Sequence, residues 1–400
     1  MTPVTQDLHS LLPWITEQRE TMLHDLGEYV RIETPSDDPQ ALAHGRDWIR
    51  TWIGQRLGEP ASERRESGDG PYGDTLVLDY PGTGYASTGG IVTLLAHYDT
   101  VWPLGTLDSI PFTVEDDTIR GPGVFDMKAG LVQAVWAVTA LRHDGLAHPP
   151  LRWVLNGDEE LGSPSSRTVI EDSCRDASAV LVFEASADGA VKTARKGVGL
   201  FDVHLTGVEA HAGLDPTGGA SAITALAHLI GELDRAQNLE AGTSINVGLI
   251  DGGTRRNVAA GAAHAGIDVR VSDPQEATRI DDLLNQWAPP DSRVTARVTG
   301  GWNRPVMTRT PQIAALYEQA RTIAVELGID LHETSVGGAS DGNFASALGV
   351  AVLDGLGAVG AGAHARHEHA TVSGMLQRTV LTAGLLHRLS TAPTSAHTAP

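Results

Sequence analysis

One cysteine in 400 residues, Cys174, makes an intrachain disulfide impossible and excludes a thiolate metal site. Basic residues are also scarce: 29 Lys and Arg stand against 50 Asp and Glu, a formal net charge of −21. That balance argues against nucleic acid or an anionic membrane as a partner, since either would repel the chain. No apolar run reads as long enough to span a bilayer. The N-terminus, MTPVTQDLHSLLPWITEQRE, has no basic region and acquires acids quickly, so it does not read as a secretory signal. The middle of the chain carries no low-complexity tract and no internal repeat. Only the tail STAPTSAHTAP after Leu389 has the composition of a disordered segment. What remains is the expectation of a soluble, cytoplasmic, globular chain. Its length suits two ordinary domains, and its apolar content of 41% suits a real core.

What the sequence does contain is an alternation of strand and helix signals. Strand-like runs lie at 75–79, 91–96, 151–155 and 179–183, and the clearest helical period runs from 127 to 142. This order predicts an α/β fold with a largely parallel sheet covered by helices. From about Gly197 the pattern changes. GLFDVHLTG alternates, 218–233 is helical, and SINVGLIDGG and AAHAGIDVRVS alternate; 275–287 is helical and RVTARVTG alternates again. That β-α-β-β-α-β order is the ferredoxin-like split unit. Helix–strand alternation then resumes with a helix over 310–327, the strand VAVLDGL and a last helix over 372–389. The reading is a discontinuous α/β domain, 1–195 and 307–400, with a small α+β domain inserted at 196–306.

Open α/β sheets place their sites outside the carboxyl ends of strands. Here those ends carry ligand-competent groups. IVTLLA runs into His97-Tyr98-Asp99, LRWVLN into Asp158-Glu159-Glu160, and AVLVF into Glu184. The loop GPGVFDMKAG offers Asp126 before a helix, and the Gly-rich GAVGAGAHARHEHA offers His364. Each alone is an ordinary turn or a core histidine; several independent strand ends converging on one rim are not. Nitrogen and oxygen donors of this kind suit a divalent metal, and more than one if a carboxylate bridges. Imidazole with carboxylate favours Zn²⁺, with Co²⁺ or Mn²⁺ as substitutes. Of two adjacent acids at a strand end, one can bind metal while the next faces a water whose pKa the ion lowers toward ~7. Glu160 fits the first role and Glu159, as general base, the second. Asp99, two residues after His97 on an extended segment, is placed to accept from the other ring nitrogen of His97.

The motifs HYDTVW, GPGVFDMKAG, GDEELGS, EAHAG, GGTRRN, GGASDGN and GAGAHARHEH resemble, over nearly the whole chain, the zinc-dependent family of aminoacylases, succinyl-diaminopimelate desuccinylases and glutamate carboxypeptidases. The inserted unit matches that family's lid and dimerisation domain. The resemblance implies two Zn²⁺ per chain bridged by Asp126, one also held by His97 and Glu184, the other by Glu160 and His364. It implies a cis bond between Asp126 and Met127. His211, in EAHAG, is expected to reach the site of a partner subunit in a homodimer and stabilise the tetrahedral oxyanion. Glu184 goes with carboxypeptidase, deacylase and desuccinylase activities, where Asp is found in many aminopeptidases and dipeptidases. Lys192, Asn257, Arg270 and Arg304 are similar to positions that bind substrate in the glutamate-releasing branch, and cations with an amide suit a substrate bearing two carboxylates. Two departures stand out: His367 and His369 flank the expected His364, and Ala210 replaces a small hydroxyl residue.

The activity so implied is hydrolysis of an amide next to a free carboxylate, releasing a C-terminal amino acid such as glutamate from a small peptide or N-acyl-amino acid. The alternatives are an N-acyl-amino-acid deacylase, with the same chemistry and an apolar acyl pocket; a dipeptidase, against which Glu184 speaks; and a metal-holding scaffold without turnover. The last would show loss of Glu159, which is present.

Overall fold

Apolar runs bounded by turn residues, joined at one edge by the charged strand Ser62–Glu66, become a six-stranded sheet in the computed structural model, which describes Leu8, residues 10–83 and residues 90–391. The strand order is Ser62–Glu66, Thr75–Tyr80, Leu151–Asn156, Ile91–His97, Ala177–Val182, Val352–Leu353. The first three run antiparallel and the last four parallel, so the sheet is mixed. Its central strands are buried on both faces, which is why they read as continuous apolar runs rather than alternating ones. Register sets His97 beside Asn156, so the ends that carry the histidine and the acidic turn lie side by side.

Three expectations are adjusted. Helix 127–142 begins later, as Ala129–His143, because Asp126 (φ −120°, ψ 95°) and Met127 (φ −131°, ψ 31°) are non-helical. The stretch VAVLDGL pairs only over Val352–Leu353. Beyond it Asp354 turns to exchange backbone hydrogen bonds with Lys192, and Gly355 takes φ 72°. The last helix continues to Thr391; residues 392–400, most of the tail expected to be disordered, lie outside the described residues, as do residues 1–7. One correction concerns membranes. Val124–His143 is long and apolar enough to cross one by length and composition, yet 89% of its most apolar window is buried. Its helical part, Ala129–His143, packs against Val372–Thr391, Arg19–Val30 and Pro39–Leu57 as the central core helix.

The chain divides into two compact units. The first runs to Ala194 and resumes over Arg309–Val336 and from Ser340; the second is Arg195–Thr308 with Gly337–Ala339. No pattern in the sequence points to the three-residue return. Besides its main sheet, the first unit has a small sheet in the order Gly360–Ala361, His369–Thr371, Thr118–Arg120, Thr113–Glu115. Its first two strands form the hairpin that carries His364.

The second unit is an antiparallel sheet in the order Ser244–Gly252, Ala262–Val271, Gly197–Thr206, Thr295–Arg304. Helices Ala222–Ala236 and Pro274–Gln286 share a core with alternate strand residues such as Val203, Leu205, Ile267 and Val269. This is the ferredoxin-like arrangement that periodicity predicts. Its first helix starts four residues later than expected because Ser221 Oγ caps it, accepting from Thr224 N at 3.3 Å.

Candidate metal centre

His97 closes its strand with 2% of its surface exposed. Its Nδ1 lies 3.0 Å from the Asp99 backbone oxygen, which fixes the proton there and leaves Nε2 as the electron-pair donor. Nε2 sits 3.3 Å from Asp126 Oδ1 and 3.5 Å from Glu184 Oε1. On the other side, His364 Nε2 lies 3.0 Å from Glu160 Oε2 and 3.5 Å from Asp126 Oδ2. Asp126 therefore offers one oxygen to each half of the cluster. The Asp126–Met127 peptide bond is cis. Close approach makes the assembly possible: a Cβ on Gly130, one turn past Asp126, would come within 2.0 Å of the Phe183 carbonyl beside Glu184.

The donor set fits a divalent cation. His97 Nε2, Asp126 Oδ1 and Glu160 Oε1 are buried with no hydrogen-bond partner, an arrangement folded proteins avoid unless the atoms serve another purpose. Ligand atoms of His97, Asp126 and Glu160 lie within 4.8 Å of one another, and so do those of His97, Glu159 and Glu184. The electrostatics agree. Burial pushes the Glu160 carboxyl up to about 7, with His364 pulling it down and Asp126 raising it further. Asp126 and then Glu160 hold the His364 imidazole up to about 10. Burial opposes charge on His97, but Asp126, Asp99 and Glu184 together raise it well above its usual value. Protons relieve crowded negative charge at this spot, and a metal cation meets the same need.

The three consecutive acids divide their labour. Asp158 is fully buried and braces the turn: its carboxylate accepts from Ser165 N (2.8 Å), Ser166 N (3.1 Å) and Ser166 Oγ (2.5 Å). Glu159 and Glu160 then enter a short 3₁₀ turn ending in Gly162 at φ 91°. Their backbone N–H groups donate to Asp99 Oδ1 (3.2 Å) and Oδ2 (3.1 Å). Asp99 thus does more than the sequence suggests. Its backbone oxygen is the nearer partner of His97, while its carboxylate, also accepting from Ser36 Oγ at 2.8 Å, clamps the acidic turn.

The remaining expected residues fall as follows. Lys192 is buried in the first unit, on strand Val191–Arg195. The other four belong to the second unit. His211 and Asn257 are neighbours on exposed loops, joined by the Ala212 N–Asn257 O hydrogen bond of 2.9 Å. His211 Nδ1 accepts from Gly213 N and Leu214 N at 3.1 and 3.0 Å, so Nε2 carries the proton in the neutral ring. Arg270 and Arg304 both pair in register with Val198, which puts them on one face of the sheet. The guanidinium fork of Arg270 is engaged by Asp268 through two 2.8 Å hydrogen bonds. In the cluster itself, Asp126 and Glu184 lie beside His97, and Asp126 and Glu160 beside His364. Of the flanking histidines, His369 is tied by Nδ1 to the His367 carbonyl at 3.1 Å.

Residues 93–388 match the profile described as Peptidase family M20/M25/M40. This chain belongs to that family. As an M20 chain it is a metallopeptidase-type hydrolase, and the fold agrees. The aminopeptidase PepT from Bacillus cereus superposes with a TM-score of 0.73, covering 93% of this chain and 98% of that one at 18% identity. Carboxypeptidase G2 from Pseudomonas sp. (strain RS-16) is 27% identical over 384 residues, 93% of this chain and 90% of that protein. A probable carboxypeptidase from Aspergillus niger is 30% identical over 230 residues, spanning 51% of this chain and 53% of its own.

Two site-building residues of the M20 chain escape a sequence reading. Asp341 takes Ser163 Oγ at 2.5 Å and Asn156 Nδ2 at 2.9 Å, binding both ends of the acidic turn to a distant loop. Glu368 holds the Asp126 loop and is taken up below. Asp341 lies in GGASDGN and Glu368 in GAHARHEH, motifs noted for other residues. Neither spacing nor hydropathy indicates which backbone donors a carboxylate will meet.

Proposed function

We propose that this M20 hydrolase holds two Zn²⁺ per chain and cleaves an amide bond next to a free carboxylate, releasing a C-terminal amino acid such as glutamate. The observation that carries the two-ion reading is the Asp126 carboxylate, which offers separate oxygens toward His97 and His364. His97, Glu184 and Asp126 would hold one ion, and His364, Glu160 and Asp126 the other. Bound there, zinc supplies Lewis acidity toward the substrate carbonyl and makes a water acidic enough to attack near neutral pH. Glu159 takes the proton of the attacking water and returns it to the leaving nitrogen. His211, with its proton on Nε2, is the donor to the developing oxyanion. Lys192, Asn257, Arg270 and Arg304 provide the cations and amide for a substrate bearing two carboxylates, Arg270 exchanging Asp268 for the ligand.

The test is a hydrolysis screen of acyl-glutamates, dipeptides and N-acyl derivatives of apolar amino acids with the zinc-loaded protein. Acyl-glutamates should exceed the apolar series in kcat/KM by about tenfold or more, as a site with paired polar groups rejects ligands that leave them unmatched. A preference for N-acyl apolar amino acids would establish the deacylase reading instead.

The proposal extends to assembly: a homodimer through residues 196–306, in which His211 serves the site of the second copy. Support comes from the edge strand Ser244–Gly252, whose Leu249 and Ile250 are 67% and 62% exposed. Light scattering at working concentration should give twice the chain mass of 42.1 kDa. A fully active monomer would sink this role for His211.

A further inference from the structure

Glu368 is 2% exposed and lies outside the donor set, yet four N–H groups converge on its carboxylate. Oε1 accepts from Phe125 N at 2.9 Å and Asp126 N at 3.1 Å; Oε2 accepts from Gly123 N at 3.0 Å and Trp102 Nε1 at 2.7 Å. Gly123, at φ 71°, curls the loop so that the amides of residues 123, 125 and 126 face the carboxylate, as in a backbone anion nest, while the Val124 amide bonds to the Gly121 oxygen. The anion is internal. It comes from the hairpin that carries His364, four residues earlier, and the Ala365 N–Gly362 O and Glu368 N–Ala365 O hydrogen bonds make that segment a tight series of turns. One carboxylate thus fastens the backbone of Asp126 to the segment bearing His364. Asp99 fastens the Glu159 and Glu160 amides in the same manner.

We propose that Glu368 is the positioning residue for Asp126, fixing the Asp126 carboxylate relative to His364 and so the spacing of the two ions that the proposed function assigns here. The inference rests on that two-ion reading. Asp126 is the group for which orientation matters most, because its two oxygens serve different partners. A small rotation about its backbone would lengthen one contact as it shortens the other.

Glu368→Gln keeps the size of the side chain but turns an amide NH₂ toward donors that need an acceptor. Three quantities are measured on the full chain: Zn²⁺ dissociation constants by chelator competition, kcat and KM on the best substrate, and the melting point of metal-free protein. The expected result is a Zn²⁺ dissociation constant raised about 10–100-fold for at least one site, as for other residues that hold a metal ligand in place. Lower kcat at similar KM should accompany it, with excess Zn²⁺ restoring two bound ions. A variant that melts lower with and without metal by the same amount, while its Zn²⁺ constants and kcat stay at wild-type values, overturns the proposal. If Glu368→Gln does not fold, Trp102→Phe removes one donor and leaves the three amides. A rise of about 2–10-fold in the Zn²⁺ constant is then expected, and no change overturns the proposal. Wild-type protein that fails to bind two Zn²⁺ defeats the two-ion reading itself and this inference with it; two ions in the wild type with an indifferent variant defeats the positioning role alone.

Discussion

Glu159→Gln should bind both metal ions with near-wild-type affinity and still lose turnover by ~10²–10⁴-fold, the usual contribution of a positioned proton carrier. The substitution preserves shape and removes only basicity. Its backbone hydrogen bond to Asp99 is untouched, and none of His97, Asp126, Glu160, Glu184 or His364 changes. Glu160→Gln should fail differently. It replaces an anion whose Oε2 lies 3.0 Å from His364 Nε2 with a neutral amide, so metal affinity should drop and excess Zn²⁺ should rescue part of the loss. Asp158→Asn belongs to a third class. Its buried carboxylate accepts from two amides and a hydroxyl. The change should cost about 1–3 kcal/mol of stability, with the metal sites intact in whatever fraction folds. Metal content, turnover and melting point of the three variants at limiting and excess Zn²⁺ separate these outcomes. Equal, rescue-insensitive losses at 159 and 160 would refute the division of roles. Near-wild-type turnover in Glu159→Gln would refute the mechanism.

Exhaustive chelation should reduce hydrolysis to the assay background, and titration with Zn²⁺ should return it as two ions bind per chain. Co²⁺ should also restore activity, since the donors are imidazole and carboxylate. Stability should move with occupancy. Each ion present at a hundred times its dissociation constant adds about 2.7 kcal/mol to the folded state, so the melting point should rise in two resolvable increments of Zn²⁺. A plateau at one ion per chain, with full activity, would remove Asp126 from its bridging role. Activity that survives chelation would remove the metal from the chemistry.

The parts of the fold legible in the sequence are those fixed by local pattern. The parallel core strands announced themselves as apolar runs, since burial on both faces leaves no alternation to obscure them. The second unit announced itself through period-2 runs with helices between them. Boundaries were less legible where a remote partner decides them. The Val352–Leu353 strand stops where Asp354 turns to Lys192, and the core helix waits for Asp126 and Met127 to complete a non-helical turn. The hairpin under His364 has strands of two and three residues, too short for any periodicity to register.

The site divides along the same line. Strand ends offering His97, Glu160 and Glu184 could be read directly, because the end of a parallel strand is a fixed place in an α/β sheet. The sequence by itself therefore determined which chemical groups reach the rim, and that they are nitrogen and oxygen donors with no thiolate among them. It could not determine what each carboxylate does there. Asp99, Asp158, Glu160 and Glu368 carry the same functional group, and only their surroundings distinguish them. Asp99, Asp158 and Glu368 are ringed by N–H and O–H donors; Glu368 draws two of its donors from amides 242 and 243 positions away. Glu160 faces an imidazole and other acids, with one oxygen lacking any donor. A carboxylate met by amides is satisfied and becomes a brace, whereas one met by further carboxylates retains an electrostatic need that a cation can fill. Distances across the folded chain decide between the two, and no spacing along the sequence encodes them.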